Sequence, residues 1–161
     1  MKITIESDLQ AAGIDFELYH HSSMYTYEES LAMKAEKGFT GTETKALFMK
    51  GKKDGRYYIL FTLPDKRNDF KYLKKLVGQK LSVVSPEELE TETGQESGAV
   101  CPIGYPAEVG QLIHEDILKA EKLVFAPGRP DQTMVIKTQD LDKILDLYQN
   151  ERFMVSDQVE D

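Results

Sequence analysis

The chain has 161 residues, a length that favours a single domain burying roughly two-thirds of its unfolded surface. Its 40% hydrophobic and 30% charged residues are typical of a soluble globular protein. Because no apolar run approaches the roughly 20 residues of a membrane span, we expect no membrane partner. The net charge of −8 argues against a protein that coats nucleic acid by bulk attraction, and we do not expect DNA as a partner.

Capping signals predict two helices and a strand in the N-terminal quarter of the chain. A capping box at Ser7 opens a short helix that Gly13 closes, since glycine readily takes the left-handed conformation of a helix end. Apolar residues then alternate with polar ones over residues 14–18, as on a half-buried strand. A second capping box predicts a helix from Thr26 to Lys37, with Gly38 as its stop.

The next stretch predicts a hairpin followed by a basic helix. The strands cover residues 45–49 and 56–63, and the glycine-flanked turn between them covers residues 51–55. Residues 65–77 place their apolar side chains on one helical face and most of their lysines elsewhere. A short strand is expected over residues 81–84.

The C-terminal half predicts two further helices and two strands. Ser85, with a proline after it, caps a helix that ends near Thr93, with Gly94 as its stop. Strands are expected at residues 122–126 and 133–137, and a final helix begins at Thr138.

This order of elements predicts an α+β fold. Strands and helices do not alternate strictly, so a doubly wound parallel sheet is not expected. We predict a mixed, mainly antiparallel, partly closed sheet surrounded by helices, in one domain over residues 1–161. The acidic end, residues 151–161, is expected to fray.

The loop from Gly94 to Gly104 is the most distinctive segment of the sequence. Between these two glycines lie Gly98 and Pro102. Together the four residues predict a wall formed by main chain rather than by side chains. Such a loop presents backbone N–H groups to an oxyanion or a carbonyl oxygen.

The sequence lacks the motifs of common catalytic machines, including paired cysteines, phosphate loops and nucleophile elbows. The three histidines show no metal-ligand spacing, so neither a metal nor a cofactor is expected, and His114 is predicted to lie in a surface turn. The single cysteine, Cys101, is either a nucleophile or an inert buried thiol. One cysteine cannot form an internal disulfide and no signal-peptide core is seen, so the expected compartment is the cytoplasm.

Basic residues are concentrated in one part of the chain. Residues 45–80 contain eleven Lys or Arg and three acids, whereas the remaining residues have a net charge of −16. This region is either a docking surface for phosphates or a solvated hairpin and helix. Lys45 heads a strand, where its ammonium can reach the rim of a pocket and hold a carbonyl or phosphate oxygen.

A series of short motifs resembles one family when taken in order. They are the His21, Thr26, Glu28 and Glu29 cluster, Gly41-Thr42, Lys45, the 65–69 segment, Ser85-Pro86, the 94–104 glycines, residues 116–118 and the 125–128 turn. Their order and spacing, from about Phe16 to Leu145, are similar to those of the YbaK/prolyl-tRNA synthetase-associated (ProX-like) editing domains.

The resemblance implies hydrolysis of the ester that joins an amino acid to the terminal adenosine of a mischarged tRNA. In that family the lysine matching Lys45 is the functional side chain, and the loop matching residues 94–104 receives the aminoacyl group. The implied substrate-binding residues are therefore Gly94, Gly98, Ala99, Val100, Cys101, Pro102 and Gly104. The reaction is described as substrate-assisted, through a ribose hydroxyl and a bound water, without a protein nucleophile or cofactor.

The resemblance also implies the partners of the protein. A mischarged tRNA would be the substrate, and an aminoacyl-tRNA synthetase, prolyl or another, would be a partner. The basic region then predicts tRNA contacts at Lys52, Lys53, Lys71 and Lys74. No synthetase core accompanies the domain, so it is expected to act in trans.

The sequence departs from the better-known members at two positions. Ala46 replaces a polar residue found in some relatives, and Cys101 precedes Pro102 where serine is frequent. The substrate is therefore narrowed only to a small aminoacyl group of the Ala, Ser, Thr or Cys type. Alternatives are an inactive member that binds an aminoacyl or amino-acid ligand, a partner of a synthetase complex, and a thiol hydrolase that uses Cys101.

Overall fold

Nine strands form two separate sheets in the computed structural model, which describes residues 1–157. The strands are β1 (Glu17–His20), β2 (Thr42–Glu43), β3 (Lys45–Gly51), β4 (Tyr57–Thr62), β5 (Leu81–Val83), β6 (Gly110–His114), β7 (Lys122–Phe125), β8 (Gln132–Lys137) and β9 (Arg152–Val155).

Five α-helices and two short 3₁₀ helices connect these strands within residues 1–157. The α-helices are α1 (Ile5–Ala12), α2 (Tyr27–Lys37), α3 (Phe70–Val77), α4 (Pro86–Thr93) and α5 (Leu141–Tyr148). The 3₁₀ helices cover Glu115–Lys119 and Thr138–Asp140. None of the helices in this part of the chain is long and apolar enough to cross a membrane.

The sheets are mixed, as the sequence predicts. One has the strand order β1-β8-β7-β2 and the other has the order β5-β3-β4-β6-β9. Four of the seven strand pairings are antiparallel, and β2–β7, β4–β6 and β6–β9 are parallel. The predicted α+β class is confirmed, although the two sheets remain separate and do not close into a barrel.

Most helix ends follow the capping chemistry that their sequences predict. The Thr26 and Ser85 hydroxyls each accept a hydrogen bond from a backbone N–H of the following first turn, at Glu29 and Glu88. The predicted starts of α2 and α4 are therefore confirmed, and so are the predicted glycine stops at their C-terminal ends. Helix α1 instead begins two residues before the predicted capping box, at Ile5.

Helix α3 begins five residues later than predicted. The carboxylate of Asp69 accepts hydrogen bonds from the backbone N–H groups of Lys71 and Tyr72, which fixes the first turn there rather than at Asp65. The final α-helix is likewise preceded by the 3₁₀ turn that begins at Thr138.

The prediction of a frayed acidic end is wrong for residues 152–155. These residues form β9, which pairs in parallel with β6, and Arg152 lies opposite Gln111. The alternation of Phe153 and Val155 with polar or exposed residues gives this strand an inner face. Residues 158–161 lie outside the described part of the chain.

The largest apolar core lies between the two sheets and the helices α1 and α5. Its buried members include Leu9 from α1, Phe61 from β4, Met134 from β8 and Ile144 from α5. Burial of each such side chain contributes roughly 1.5–3 kcal/mol to folding. This core therefore fixes the relative positions of the strand ends that surround the cavity described next.

Candidate active site

A cavity of about 380 Å³ opens where the two sheets meet. Its walls come from four stretches of chain, which are residues 24–30, 43–47, 98–100 and 124–133, together with Pro64. These stretches are distant in sequence, so the fold alone brings them together. The polar groups on the walls are backbone, tyrosine, threonine and serine oxygens, the side-chain amide of Gln132, one carboxylate and one ammonium.

Lys45 lies on this wall because the chain passes from one sheet to the other at Thr44. The backbone N–H and the hydroxyl of Thr44 both donate hydrogen bonds to the carbonyl oxygen of Val124, at 3.2 and 2.7 Å. Strand β3 then starts at Lys45, opposite Thr62 of β4. The side chain is exposed, and its ammonium forms no ion pair or hydrogen bond with any residue from 1 to 157. It is therefore free to hold a ligand oxygen.

Gly98 forms another part of the cavity wall, and its position requires a glycine. Its φ of 87° lies in the left-handed region, and a β-carbon there would come within 2.7 Å of the carbonyl oxygen of Tyr25. The hydroxyl of Tyr25 also donates a 3.0 Å hydrogen bond to Glu96. The main chain of the 94–104 loop thus packs directly against the main chain of the residues before α2.

The loop around Gly98 is held by a buried hydrogen-bond network of its own. The side chain of Gln95 accepts from the backbone N–H of Cys101 at 2.8 Å and donates to the hydroxyl of Tyr105 at 2.9 Å. That hydroxyl donates in turn to the carbonyl oxygen of Cys101 at 2.6 Å. Satisfied buried networks of this kind rigidify a segment, so the wall is preformed.

Cys101 is a structural part of this network. Its side chain is fully buried, and its Sγ donates to the carbonyl oxygen of Ile103 at 3.0 Å. Burial raises the pKa of the thiol to about 12, which removes the thiolate needed by a nucleophile at neutral pH. The structure therefore favours the inert thiol over the nucleophile.

Only two of the seven loop residues predicted to bind substrate line the cavity, namely Gly98 and Val100. Gly94 is exposed and terminates α4, with a φ of 71°. The remaining four are buried behind the wall and position it from within: Ala99, Cys101, Pro102 and Gly104.

No sequence motif marks Glu43, the one carboxylate among the described residues that line the cavity. Glu43 of β2 is only 9% exposed, and its Oε2 accepts a 2.7 Å hydrogen bond from the hydroxyl of Ser30, which also lines the cavity. Its Oε1 lies 3.6 Å from the ammonium of Lys34, beyond hydrogen-bond distance, and has no hydrogen-bond partner among residues 1–157. A lone glutamate between two threonines offers no pattern by which it could have been found.

Thr133 is a second wall residue that the sequence did not reveal. His21 Nδ1 lies 2.7 Å from the carbonyl oxygen of Ser22, which can only accept, so this nitrogen carries the proton of the neutral ring. His21 Nε2 then accepts from the hydroxyl of Thr133 at 2.8 Å. The lone pairs of Thr133 consequently remain available as an acceptor at the cavity wall.

The basic region keeps most of its charges unpaired. Three of its eleven basic side chains form ion pairs, namely Lys50, Arg56 and Lys66. The other eight form none with the described residues. The four predicted tRNA contacts are among them, and all are exposed: Lys52, Lys53, Lys71 and Lys74.

A second cleft, of about 540 Å³, lies beyond Thr62 and contains the paired Lys66. The Lys66 ammonium is 2.6 Å from Asp116 and 2.8 Å from Asp157. His114 Nε2 lies 2.9 Å from Asp157, and its Nδ1 accepts from a backbone N–H. The prediction of a surface turn at His114 is wrong, since the residue ends β6 and is 3% exposed. Although these acids and the histidine lie close enough to hold a cation, the two carboxylates are already paired with Lys66, and Asp116 also with Lys119.

Comparison with known proteins identifies the family. Residues 21–144, about three-quarters of the chain, match the aminoacyl-tRNA editing domain. No curated protein matches the chain. The chain is similar in structure to the hypothetical protein APE2540, with a TM-score of 0.77, 21% identity, and coverage of 95% of this chain and 97% of that one. It is also similar to a candidate trans-editing enzyme for prolyl-tRNA synthetase, with a TM-score of 0.73, 24% identity and coverage of 96% and 95%. At these identities the two likenesses show the fold.

Proposed function

Because the chain belongs to the aminoacyl-tRNA editing domain family, we propose that it is a free-standing deacylase that acts in trans on mischarged tRNA. The bond hydrolysed is the ester between a small amino acid and the terminal ribose. Water adds to the ester carbonyl, the bond to the ribose oxygen breaks, and that oxygen leaves with a proton. The products are a free amino acid and an uncharged tRNA.

The observation that carries this proposal is that Lys45 and Gly98 line the same cavity. The unpaired ammonium of Lys45 supplies positive charge where the carbonyl oxygen becomes negative during attack. The rigid wall at Gly98 holds the acyl group against it and excludes bulk water. Neither group needs to form a covalent intermediate.

The inaccessibility of the one thiol, Cys101, supports a substrate-assisted reaction. The thiol of Cys101 is buried behind the wall with its pKa raised by that burial. A ribose hydroxyl of the substrate would therefore position or activate the attacking water, as the family resemblance implies. Thr133 offers an acceptor oxygen that can hold this water or hydroxyl in place.

The size of the cavity supports a small aminoacyl group. At about 380 Å³ it lies at the lower end of ligand pockets, and it must also admit the ester and part of the ribose. Editing is needed for such substrates because a synthetase pocket rejects a near-isosteric amino acid by only about 10–200-fold. We therefore keep alanine, serine, threonine and cysteine as candidate acyl groups.

The same proposal assigns the basic region to tRNA. Lys52 and Lys53 on the β3–β4 turn and Lys71 and Lys74 on α3 would contact phosphates. A synthetase, prolyl or another, would supply the misacylated tRNA, and the protein would act in the cytoplasm.

The test is single-turnover deacylation of tRNAs charged with alanine, serine, threonine, cysteine or proline. We expect the wild type to clear one small aminoacyl group rapidly and Lys45→Ala to lose that activity. Lys143→Ala, at an exposed lysine on α5, is the matched control and should behave as wild type. If no charged tRNA is hydrolysed, the protein is a binding module of the family and not an enzyme.

A further inference from the structure

Glu43 has the one buried side-chain polar atom on the cavity wall that lacks a hydrogen-bond partner among the described residues. A carboxylate has about four acceptor sites, and only one of these receives a hydrogen bond, from Ser30. The nearest cation, Lys34, forms an ion pair with Oε1 at 3.6 Å, but its 2.7 Å hydrogen bond goes to the carbonyl oxygen of Gly41. The Oε1 atom is left buried and without a hydrogen bond within residues 1–157.

Such an arrangement is unfavourable for folding alone. Buried polar atoms in native proteins nearly always have a hydrogen-bond partner, and exceptions are common at functional sites. A glutamine at position 43 would fill the same space without a charge. The position of Glu43 on the cavity wall indicates that its partner is a ligand.

We propose that Glu43 binds the α-ammonium group of the aminoacyl substrate, which deepens and rests on the proposed function. The ammonium is the only cation that every aminoacyl ester carries, whatever its side chain. It offers N–H donors to the unfilled Oε1, and such charge-assisted hydrogen bonds are among the stronger ones in proteins.

The spacing between Glu43 and Lys45 fits this assignment. Both residues line the cavity, and their Cα atoms, two residues apart in the chain, are at most about 7 Å from each other. In an aminoacyl ester, the ammonium and the carbonyl group are attached to neighbouring carbon atoms. The carboxylate and the lysine ammonium can therefore hold the two ends of one α-carbon–carbonyl unit, with its side chain turned to the wall at Gly98.

This geometry makes Glu43 a determinant of substrate class rather than of side-chain identity. It favours esters of α-amino acids over esters of α-hydroxy acids and over N-blocked aminoacyl groups. The wall at Gly98 and Val100 then selects the size of the side chain.

The experiment compares the best aminoacyl-tRNA of the panel with its α-hydroxy analogue, made by deaminating the same charged tRNA. The two substrates are nearly isosteric and differ in the ammonium charge. Each enzymatic rate is divided by the uncatalysed rate in buffer, because the ammonium also makes the ester intrinsically more labile. We expect wild type to prefer the aminoacyl ester by about 10- to 100-fold after this correction.

The variant Glu43→Gln should remove that preference by slowing aminoacyl hydrolysis selectively. Glu36→Gln, at an exposed position on α2, is the matched control and should keep the wild-type preference. Equal losses on both substrates would make Glu43 a structural residue only, and an unchanged preference would also overturn the proposal. If Glu43→Gln does not fold, wild type still decides the matter, since equal corrected rates on the two esters exclude recognition of the ammonium.

A binding measurement separates this proposal from the proposed function. Alaninamide and lactamide share a carbonyl group and differ at the α position, and their binding to wild type can be followed by NMR. Preferential binding of alaninamide, lost in Glu43→Gln, supports the ammonium site even if no tRNA is hydrolysed. Absence of any preference, with hydrolysis retained, overturns the ammonium site and leaves the deacylase intact.

Discussion

Two lysines on either side of Thr62 have opposite surroundings. Lys45 lies opposite Thr62 on the neighbouring strand, is exposed, and has no ionic partner in residues 1–157. Lys66 lies four residues after Thr62 and is held between the carboxylates of Asp116 and Asp157. The comparison shows that a lysine ammonium is available to a ligand only where the fold places no carboxylate next to it.

The largest expected effect comes from removing each lysine in turn. We expect Lys45→Ala to slow single-turnover deacylation by about 10²–10³-fold, because a preorganised charge at the oxyanion is lost. Its melting temperature should remain that of wild type, since no ion pair is broken. Lys66→Ala should instead lower the melting temperature and keep most of the rate. If the two variants lose activity to the same extent, the contrast between the two clefts is wrong.

The part of the cavity wall at Gly98 can be tested with two glycines of nearly equal φ. Gly98 has a φ of 87° and meets Tyr25, whereas Gly78, at the end of α3, has a φ of 86° and open space around it. Both Ala variants should lose about 1 kcal/mol of folding free energy to backbone strain. Only Gly98→Ala should also slow deacylation, by about 10-fold or more, since its new methyl group displaces the wall. Equal rates in the two variants would show that the close approach to Tyr25 is unimportant.

The unpaired lysines outside the cavity should affect tRNA affinity more than chemistry. Charge reversal at Lys52, Lys53, Lys71 and Lys74 should weaken tRNA binding and lower the slope of log affinity against log salt, by roughly 0.7–0.9 for each phosphate that is no longer neutralised. Filter binding from low to high salt measures this slope. Lys143→Glu serves as a control on another face. An unchanged slope in all four reversals would mean that the basic region is only solvated.

The paired charges of the second cleft should appear as acid sensitivity. The ammonium of Lys66 lowers the pKa of Asp116 to about 2, and Lys66 and His114 also lower the pKa of Asp157. Because an unfolded aspartate titrates near 3.9, this stabilisation is present above about pH 4 and is lost as the pH falls through about 2. Urea midpoints of wild type and Lys66→Met should differ at pH 7, and this difference should shrink as the pH falls from about 4 through about 2. A difference that stays constant over this range would assign the effect to packing of the side chain.

The smallest effect concerns the one thiol of the chain. Since burial raises the pKa of Cys101 to about 12, we expect no labelling by a thiol reagent in the native protein at pH 8 and full labelling after unfolding. Incubation with iodoacetamide should leave deacylation unchanged. Rapid native labelling accompanied by loss of activity would reopen the thiol-hydrolase alternative.

The sequence predicted those parts of the fold that depend on local chemistry. The hydroxyl caps and glycine stops of α2 and α4 are set by contacts within a few residues, and they are found where predicted. Strand β6 was missed, because all five of its residues are buried and no alternation marks it. The last strand, β9, was missed because it exists only through its parallel pairing with β6.

The candidate site was predictable to a similar degree. Lys45 and Gly98 were found because a strand start and a glycine-rich loop are visible in sequence. Glu43 and Thr133 were not, since their place on the cavity wall depends on the packing of β2 and β8 into one sheet. The placement of Cys101 behind the wall likewise depends on a side chain, Gln95, that carries no motif.

The closed hydrogen-bond network of the 94–104 loop has a consequence for how the pocket can change. Its bonds run among Gln95, Cys101 and Tyr105, and none of these residues lines the cavity. Val100, in contrast, lines the cavity and takes no part in the network with its side chain. The residues that hold the loop in place and the residue that lines the cavity are thus separate parts of one loop. Substitution at this single position can widen or narrow the opening while the frame that holds it remains intact, so selectivity can diverge without a loss of folding.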